Sequence, residues 1–402
     1  MVPVASMRRR LVLNNRWAVL GMLFFARTTM GFQFQSIGSV SDHLVADLGI
    51  RYADVGFLIG LFMLPGVFLA MPGGIVTKWL GDTRTSAIGL SMMAIGGLLV
   101  ATGLGYQVAA LGRGLTGCGA VLLNLTLTKM VIDWFGKRDT FTAMGIFLAS
   151  WPCGIGLALV GLTAMANAFG WQYALLVASL TSAASLVLIT LTYRTPTDAA
   201  PTSDRVNKLG SRPSAGVLLA TSLAGCAWGL FNVGLVIFFS FAPPFLADQG
   251  MEEVRAASTI SLTLWITMAS VPLGGLFIQR MGFATAVMIV FPATAAIALT
   301  ALVLFGSPIA VSITVGICMG GAASAIFALP TGVLTQETRA VGLGVFYMWY
   351  YGAMALGPAV AGLSRDMTDD AAMPLLIGAT IFLATPFVVL GFRYSSHRLS
   401  PS

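Results

Sequence analysis

Long apolar stretches alternate with short polar ones along the chain. A membrane-spanning helix needs about 20 mostly apolar residues, and each of these stretches is long enough to cross a bilayer. Twelve such spans, numbered 1 to 12 in chain order, cover residues 17–41, 53–76, 86–105, 107–132, 141–166, 170–193, 214–241, 255–278, 284–306, 308–332, 341–363 and 372–393. The pattern therefore predicts an all-α polytopic membrane protein with twelve transmembrane helices.

The longest polar segment lies between spans 6 and 7. Residues 194–213 read RTPTDAAPTSDRVNKLGSRP, and their content of proline, serine, threonine and charge is typical of a linker. We therefore expect an N-terminal six-helix bundle at residues 1–193, a cytoplasmic linker at 194–213 and a C-terminal six-helix bundle at 214–402.

A short glycine pattern recurs at equivalent places in the two halves. Span 2 ends with GG-x6-G at residues 73–81, and span 8 ends with the same pattern at residues 274–282. The offset of 201 residues is half of the 402-residue chain. Because glycine permits close helix approach and tight turns, this repeat indicates two pseudo-symmetric halves.

The composition supports a membrane protein and gives its expected orientation. Charged residues are 9% of the chain, against roughly 25% in soluble proteins. The net charge of +7 lies in short loops, so it indicates topology rather than nucleic-acid binding. With the N-terminus inside, 16 of the 22 lysines and arginines fall on the inner side and three on the outer side. We therefore expect a cell inner membrane protein with both termini in the cytoplasm.

Several classes of protein are disfavoured by residues that the spans lack. The four cysteines show no CxxC or Cys/His spacing, so neither a metal site nor a disulfide framework is predicted, and we expect no cofactor. No histidine, aspartate or glutamate lies deep in a span, where an enzyme would need a nucleophile–base pair or a metal cluster. A non-transporting receptor would need a signalling domain, and the sequence shows none. We therefore do not expect an enzyme.

Arg27 is the first candidate for a binding residue. It lies ten residues after Trp17 in span 1, or about 15 Å along a helix at 1.5 Å per residue. A guanidinium is permanently charged and forms a planar fork that suits a carboxylate, and charges at this depth mark functional sites. Gln35 is expected about 80° round the helix, whereas Gln33 points about 240° away, so Gln35 is the better partner. The alternative is an arginine bonded to backbone carbonyls near Gly31.

Span 4 carries two further polar candidates on one face. Asn124 is eleven residues after Arg113, hence about 20° round the helix. They either line a cavity, or Arg113 anchors helix contacts near the outer interface, where it could also extend to the lipid headgroups. Lys129 points roughly away from Arg113, and we expect it to extend to the cytoplasmic headgroups.

Aromatic and amide side chains in spans 5, 7 and 11 complete the candidate binding set. Trp228 and Asn232 share a face of span 7, because they are four residues apart. In span 11 the tyrosines have spacings of three and four, so they could wall a pocket and donate hydrogen bonds; packing within the bundle is the alternative. The remaining members of the set are Trp151, Tyr347, Tyr350 and Tyr351.

These patterns resemble the major facilitator superfamily over nearly the whole chain. The family loop between helices 2 and 3 reads close to G-x-x-x-D-R-x-G-R, and a second motif, R-x-x-x-G-x-G, occurs in helix 4. This chain has lysine and tryptophan in place of the Asp-Arg of the loop, and it matches the helix 4 motif at RGLTGCG. The residues that carry the resemblance are Gly74, Lys78, Gly81, Asp82, Arg84, Arg113, Gly117, Gly275, Arg280 and Gly282.

The resemblance implies alternating access, in which the two bundles rock about a central cavity lined by helices 1, 4, 7 and 10. The ten residues of the two motifs would then have gating or conformational roles. The stretch from Arg27 to Gln35 also resembles the cyanate and nitroimidazole permease branch.

We therefore expect a secondary active or facilitative transporter of a small organic or pseudohalide-like anion. Arg27 would supply the main charge, and the protein would function as a monomer in the bilayer. Uniport, exchange against a counter-substrate and symport with a proton all remain open. The main alternative is efflux of neutral aromatic molecules, because cationic cargo would be repelled by a positive cavity.

Overall fold

The fold is entirely helical in the residues that the computed structural model describes, which are 15–195, 213–335 and 337–398. Most of the expected linker lies outside these residues. Thirteen α-helices occur within them: α1 Arg16–Ser39, α2 Ser41–Leu48, α3 Tyr52–Leu61, α4 Pro65–Leu80, α5 Asp82–Ala101, α6 Tyr106–Phe169, α7 Trp171–Thr192, α8 Ala215–Asp248, α9 Glu253–Met281, α10 Ala284–Phe305, α11 Pro308–Ala328, α12 Arg339–Thr368 and α13 Met373–His397.

All twelve expected spans coincide with these helices. Span 2 is divided between α3 and α4, and spans 4 and 5 both lie in α6. Span 10 is α11 followed by a 3₁₀ helix, Leu329–Gly332, and each other span corresponds to one α-helix. Ten helical segments of the described chain are long and apolar enough to cross a membrane. The other two spans lie in α1, which contains Arg27, Gln33 and Gln35, and in α12. The chain is thus a multi-pass membrane protein.

Spans 4 and 5 are separate, as expected, but the turn between them is tighter than a loop of eight polar residues. Every residue from Tyr106 to Phe169 is in helical conformation, so no extended loop interrupts this range. The contacts nevertheless show that the chain doubles back. Phe135 packs on Trp17 near the start of α1, whereas residues 113 and 154 both contact α1 around residues 28–34.

We name the two ends of the bundle by the chain segments that they contain. The terminal end holds the start of α1, the start of α8 and the end of α13. The distal end holds residues 40–52, 249–252 and 369–372. Each half packs mainly on itself, through α1 and α5 on α6 and through α8 and α10 on α13. The halves meet where α12 lies on α3 and α4, and where α9 lies on α6.

The contact between α3 and α12 is made of backbone. A Cβ atom added at Gly56 would overlap the carbonyl of Pro358, and one added at Gly60 would overlap the carbonyl of Ala355. Glycine at these positions therefore lets the two helices approach to backbone contact.

Gly56→Ala is expected to destabilise the protein by about 1–3 kcal/mol, because the added methyl group forces this contact apart. The measurement is thermal unfolding of purified protein in detergent. Gly21→Ala is the matched control: Gly21 lies in exposed helix with nothing within 4 Å of an added Cβ, and alanine there favours the helix by about 0.8–1 kcal/mol. Equal unfolding temperatures for the two variants would contradict the backbone contact.

Candidate functional site

Arg27 lies inside the bundle on α1 and is only partly satisfied by the protein. Its Nη1 donates a hydrogen bond of 3.1 Å to the carbonyl of Phe147, and its guanidinium carbon lies 4.6 Å from the centre of the Phe147 ring. Its Nε is buried without a hydrogen-bond partner. Among the described residues, no carboxylate lies within 4.0 Å of this side chain. The Arg27 guanidinium has five N–H donors, and in the described residues it forms one hydrogen bond, to the carbonyl of Phe147.

Three tyrosines of α12, in the other half, lie within electrostatic range of Arg27. Tyr347, Tyr350 and Tyr351 are close enough to interact electrostatically with its guanidinium. Their rings contact one another, with centroids 5.0 to 6.4 Å apart. None of the three hydroxyls bonds to another residue of the described chain. A buried cation of one half and three phenols of the other therefore lie within electrostatic range of each other.

Trp228 of α8 extends this arrangement into an aromatic wall. Its ring stacks on Tyr350 at 6.1 Å and 30° and meets Phe327 edge-on at 5.3 Å. Asn232, one turn further along α8, donates its amide to the Trp228 carbonyl at 2.7 Å. Arg27, Trp228, Tyr347, Tyr350 and Tyr351 together form what we call the Arg27 site.

Three other candidates of the expected binding set form their contacts with other residues. Gln35 is buried further along α1 and donates to the carbonyl of Phe239 at 3.5 Å, across the contact between α1 and α8. Trp151 packs against Phe34 with centroids 5.6 Å apart. Asn124 is partly exposed and forms no side-chain hydrogen bond with the described residues.

Gln33 has a structural role that its position opposite Arg27 did not reveal. Its amide donates to the carbonyls of Met93 and Ala178, both at 3.2 Å, and to the hydroxyl of Ser182 at 2.9 Å. These bonds join α1 to α5 and α7. A buried glutamine on an otherwise apolar face was the only sequence signal for this junction.

Arg113 does not extend to the headgroups. It is 2% exposed and donates to three backbone carbonyls: Leu58 at 3.0 Å, Gln33 at 2.8 Å and Phe34 at 3.1 Å. Its guanidinium also lies 4.9 Å from the centre of the Phe62 ring. The residue thus ties α6 to α1 and α3, as the anchoring alternative described.

The expectation that Lys129 extends to the headgroups is also wrong. Its ammonium bonds to both oxygens of Asp82, at 2.9 and 3.0 Å, and to Asp133 at 2.6 Å. Two carboxylates at the terminal end therefore hold this lysine, and neither lies near Arg27. Asp82 is buried at the start of α5.

The other motif residues lie at helix ends and helix contacts. Gly81 and Gly282 both have positive φ, at 78° and 74°, and both end a helix at the terminal end, which matches the repeat. Gly117 packs directly against the Phe62 carbonyl, and Gly275 lies near Ser324. Arg84 and Arg280 are exposed. The side-chain surroundings of positions 74 and 78 lie outside the described part of the structure.

The comparison with known families is decisive for the fold. The sequence profile of the Major Facilitator Superfamily matches residues 23–358. The chain belongs to the Major Facilitator Superfamily. This membership agrees with the two packed six-span halves and with a site between them, and it identifies a membrane transporter rather than an enzyme.

Curated relatives in the superfamily are transporters. The chain is 25% identical over 390 residues to an uncharacterised transporter, YycB, of Bacillus subtilis (strain 168), with 92% of each chain covered. It is 24% identical over 431 residues to a gallate transporter of Pseudomonas putida, covering 96% of this chain and 94% of that protein. It is 22% identical over 262 residues to a hexuronate transporter of Bacillus subtilis (strain 168), covering 63% of this chain and 62% of that protein.

Solved structures of superfamily members share the fold. The D323A mutant of the nucleoside transporter NupG aligns with a TM-score of 0.68 at 16% identity, covering 95% of this chain and 100% of that one. A bacterial homologue of the human lysosomal transporter Spinster, inward-facing and unoccupied, aligns with a TM-score of 0.70 at 15% identity, covering 96% and 99%. These structural similarities show a shared fold.

Proposed function

We propose that this superfamily member carries a small organic anion across the membrane by alternating access, with Arg27 as the main binding charge. The observation that supports this most is the Arg27 guanidinium, buried with an unpartnered Nε and with no carboxylate of the described residues in reach. A charge at mid-membrane costs at least about 2.5–3.5 kcal/mol. An anionic substrate would offset that cost, whereas a cation would increase it.

Carboxylates are the anion class that the site suits best. A guanidinium binds a carboxylate through paired N–H donors, and the three tyrosine hydroxyls could donate to the same group or to substituents on the substrate. The names of two relatives, gallate transporter and hexuronate transporter, both denote carboxylate anions. The remaining expected binding residues, Gln35, Asn124, Trp151 and Asn232, would act around this core.

Efflux of neutral aromatic molecules is the second candidate, and the stack of Trp228 on Tyr350 favours it. A planar substrate could pack on such a wall without using the charge of Arg27.

The orientation and assembly proposed from the sequence complete the function. The bias of basic residues in the loops supports a terminal end that faces the cytoplasm, in a cell inner membrane. One chain supplies both halves of the site, which supports function as a monomer. Protons or a counter-substrate would provide the coupling.

Binding to purified protein tests the substrate class. Isothermal titration would compare carboxylates with their matched neutral forms, such as benzoate with benzamide and glucuronate with glucose. We expect at least one carboxylate to bind about tenfold or more tightly than its neutral form, which corresponds to about 1.4 kcal/mol. Equal affinities for benzoate and benzamide would favour the neutral aromatic alternative. If none of the four compounds binds, the result contradicts both candidate functions.

A further inference from the structure

The distal end holds a contact between the two halves that lies well away from the Arg27 site. Asp366, in the last turn of α12, accepts hydrogen bonds from the backbone N–H groups of Tyr52 at 3.0 Å and Ala53 at 2.7 Å. These two residues begin α3. A carboxylate of the C-terminal half therefore caps a helix of the N-terminal half.

The chemistry of both helix ends favours this pairing. The first N–H groups of a helix have no partner within the helix and carry the positive end of its dipole, so α3 attracts a carboxylate. A carboxylate in the last turn of α12, by contrast, is unfavourable for its own helix, because that end is negative. The position of Asp366 is thus explained by its partner across the interface and not by its own helix.

Neighbouring contacts hold the side chain of Tyr52 in place. The guanidinium of Arg365 lies 3.7 Å from the centre of the Tyr52 ring and bonds to Asp248 at 2.8 Å. The Tyr52 hydroxyl donates to Asp42 at 2.9 Å. Charged groups from α2, α8 and α12 therefore surround the start of α3.

We propose that Asp366 is a latch that holds the distal end closed, and that its two hydrogen bonds to α3 break each time the halves separate there. Next to Asp366, α3 and α12 are in backbone contact at Gly56 and Gly60. Opening the distal end must therefore move the start of α3 away from Asp366. Loss of the carboxylate then shifts the protein towards a distally open state. The inference depends on the proposed transport only for its effect on transport rate, because the conformational equilibrium exists without substrate.

Distances between spin labels across the distal end test the latch. The labels would occupy cysteines placed at the exposed positions Ala46 and Gln249, one in each half, after replacement of the four native cysteines. Asp366→Ala would be compared with Asp369→Asn, which removes a charge from the exposed end of the same helix. In Asp366→Ala we expect the ratio of long to short distances to rise about tenfold, because hydrogen bonds to a charged group are lost. Asp369→Asn should match the wild type.

Asp366→Asn is a second, more conservative variant, which is measured in case the alanine variant does not fold. It keeps an acceptor oxygen without the charge, so a smaller rise in the long-distance population is expected. An unchanged distance distribution in both Asp366 variants would overturn the proposal, as would an equal shift in Asp369→Asn. The measurement needs no substrate, so its result is separate from the test of anion binding.

Discussion

Arg27→Ala is expected to reduce uptake of a carboxylate substrate by about 100-fold or more, while the protein is expressed and folds normally. Truncating one partner of a buried, hydrogen-bonded charge pair costs about 2–5 kcal/mol of binding, and Arg27 would be the protein's partner in that pair. Within the protein it forms one side-chain hydrogen bond in the described structure, to Phe147, so stability should change little. Uptake into proteoliposomes, together with thermal unfolding, measures both effects.

Two control variants accompany Arg27→Ala. Arg27→Lys keeps the charge but loses the planar fork, so transport is expected to be intermediate. Arg393→Ala removes an exposed arginine of α13 and should leave uptake unchanged. Normal uptake of the carboxylate in Arg27→Ala would end the anion proposal.

Arg113→Ala is expected to lower the stability of the protein strongly, whereas Arg27→Ala is expected to leave stability almost unchanged. Its three hydrogen bonds join α6 to backbone carbonyls of α1 and α3, and hydrogen bonds from a charged donor contribute about 1.5–3 kcal/mol each. We expect a loss of at least about 3 kcal/mol in the free energy of unfolding. The measurement is denaturant or thermal unfolding of detergent-purified protein, supported by size-exclusion chromatography.

Arg113→Lys gives the matched comparison, because a lysine keeps the charge but cannot form the same fork. An intermediate stability is expected. The protein that remains folded should bind a carboxylate with wild-type affinity, because Arg113 lies outside the Arg27 site. A stable Arg113→Ala protein with impaired binding would instead place this arginine in the substrate pathway.

The position of each span could be predicted because it depends on local hydropathy. The helix ends at Gly81 and Gly282 were also predictable, since a repeated glycine at equivalent positions indicates a backbone conformation that other residues avoid. The junction of spans 4 and 5 was not. The polar residues from Asp133 to Thr140 read as a loop, yet each of them has helical conformation.

The partners of buried polar groups were the hardest features to predict. Lys129 is held by Asp82, 47 residues away, and Arg113 bonds to Leu58 and Phe34, 55 and 79 residues away. Such pairs depend on which helices pack together, and helical periodicity gives only the direction of each side chain. For the same reason, the spacing of the tyrosines in span 11 predicted a shared face but not that Arg27 of the other half lies beside it.

The backbone contact between α3 and α12 has a consequence for the speed of conformational change. Where glycine faces a carbonyl, no side chain separates the two helices, so at these positions the helices can slide past one another without repacking a side chain. Steric interlocking then adds little to the barrier between the two orientations of the halves. The barrier would instead depend on the few polar bonds at the ends of the molecule, where single substitutions can adjust the turnover number.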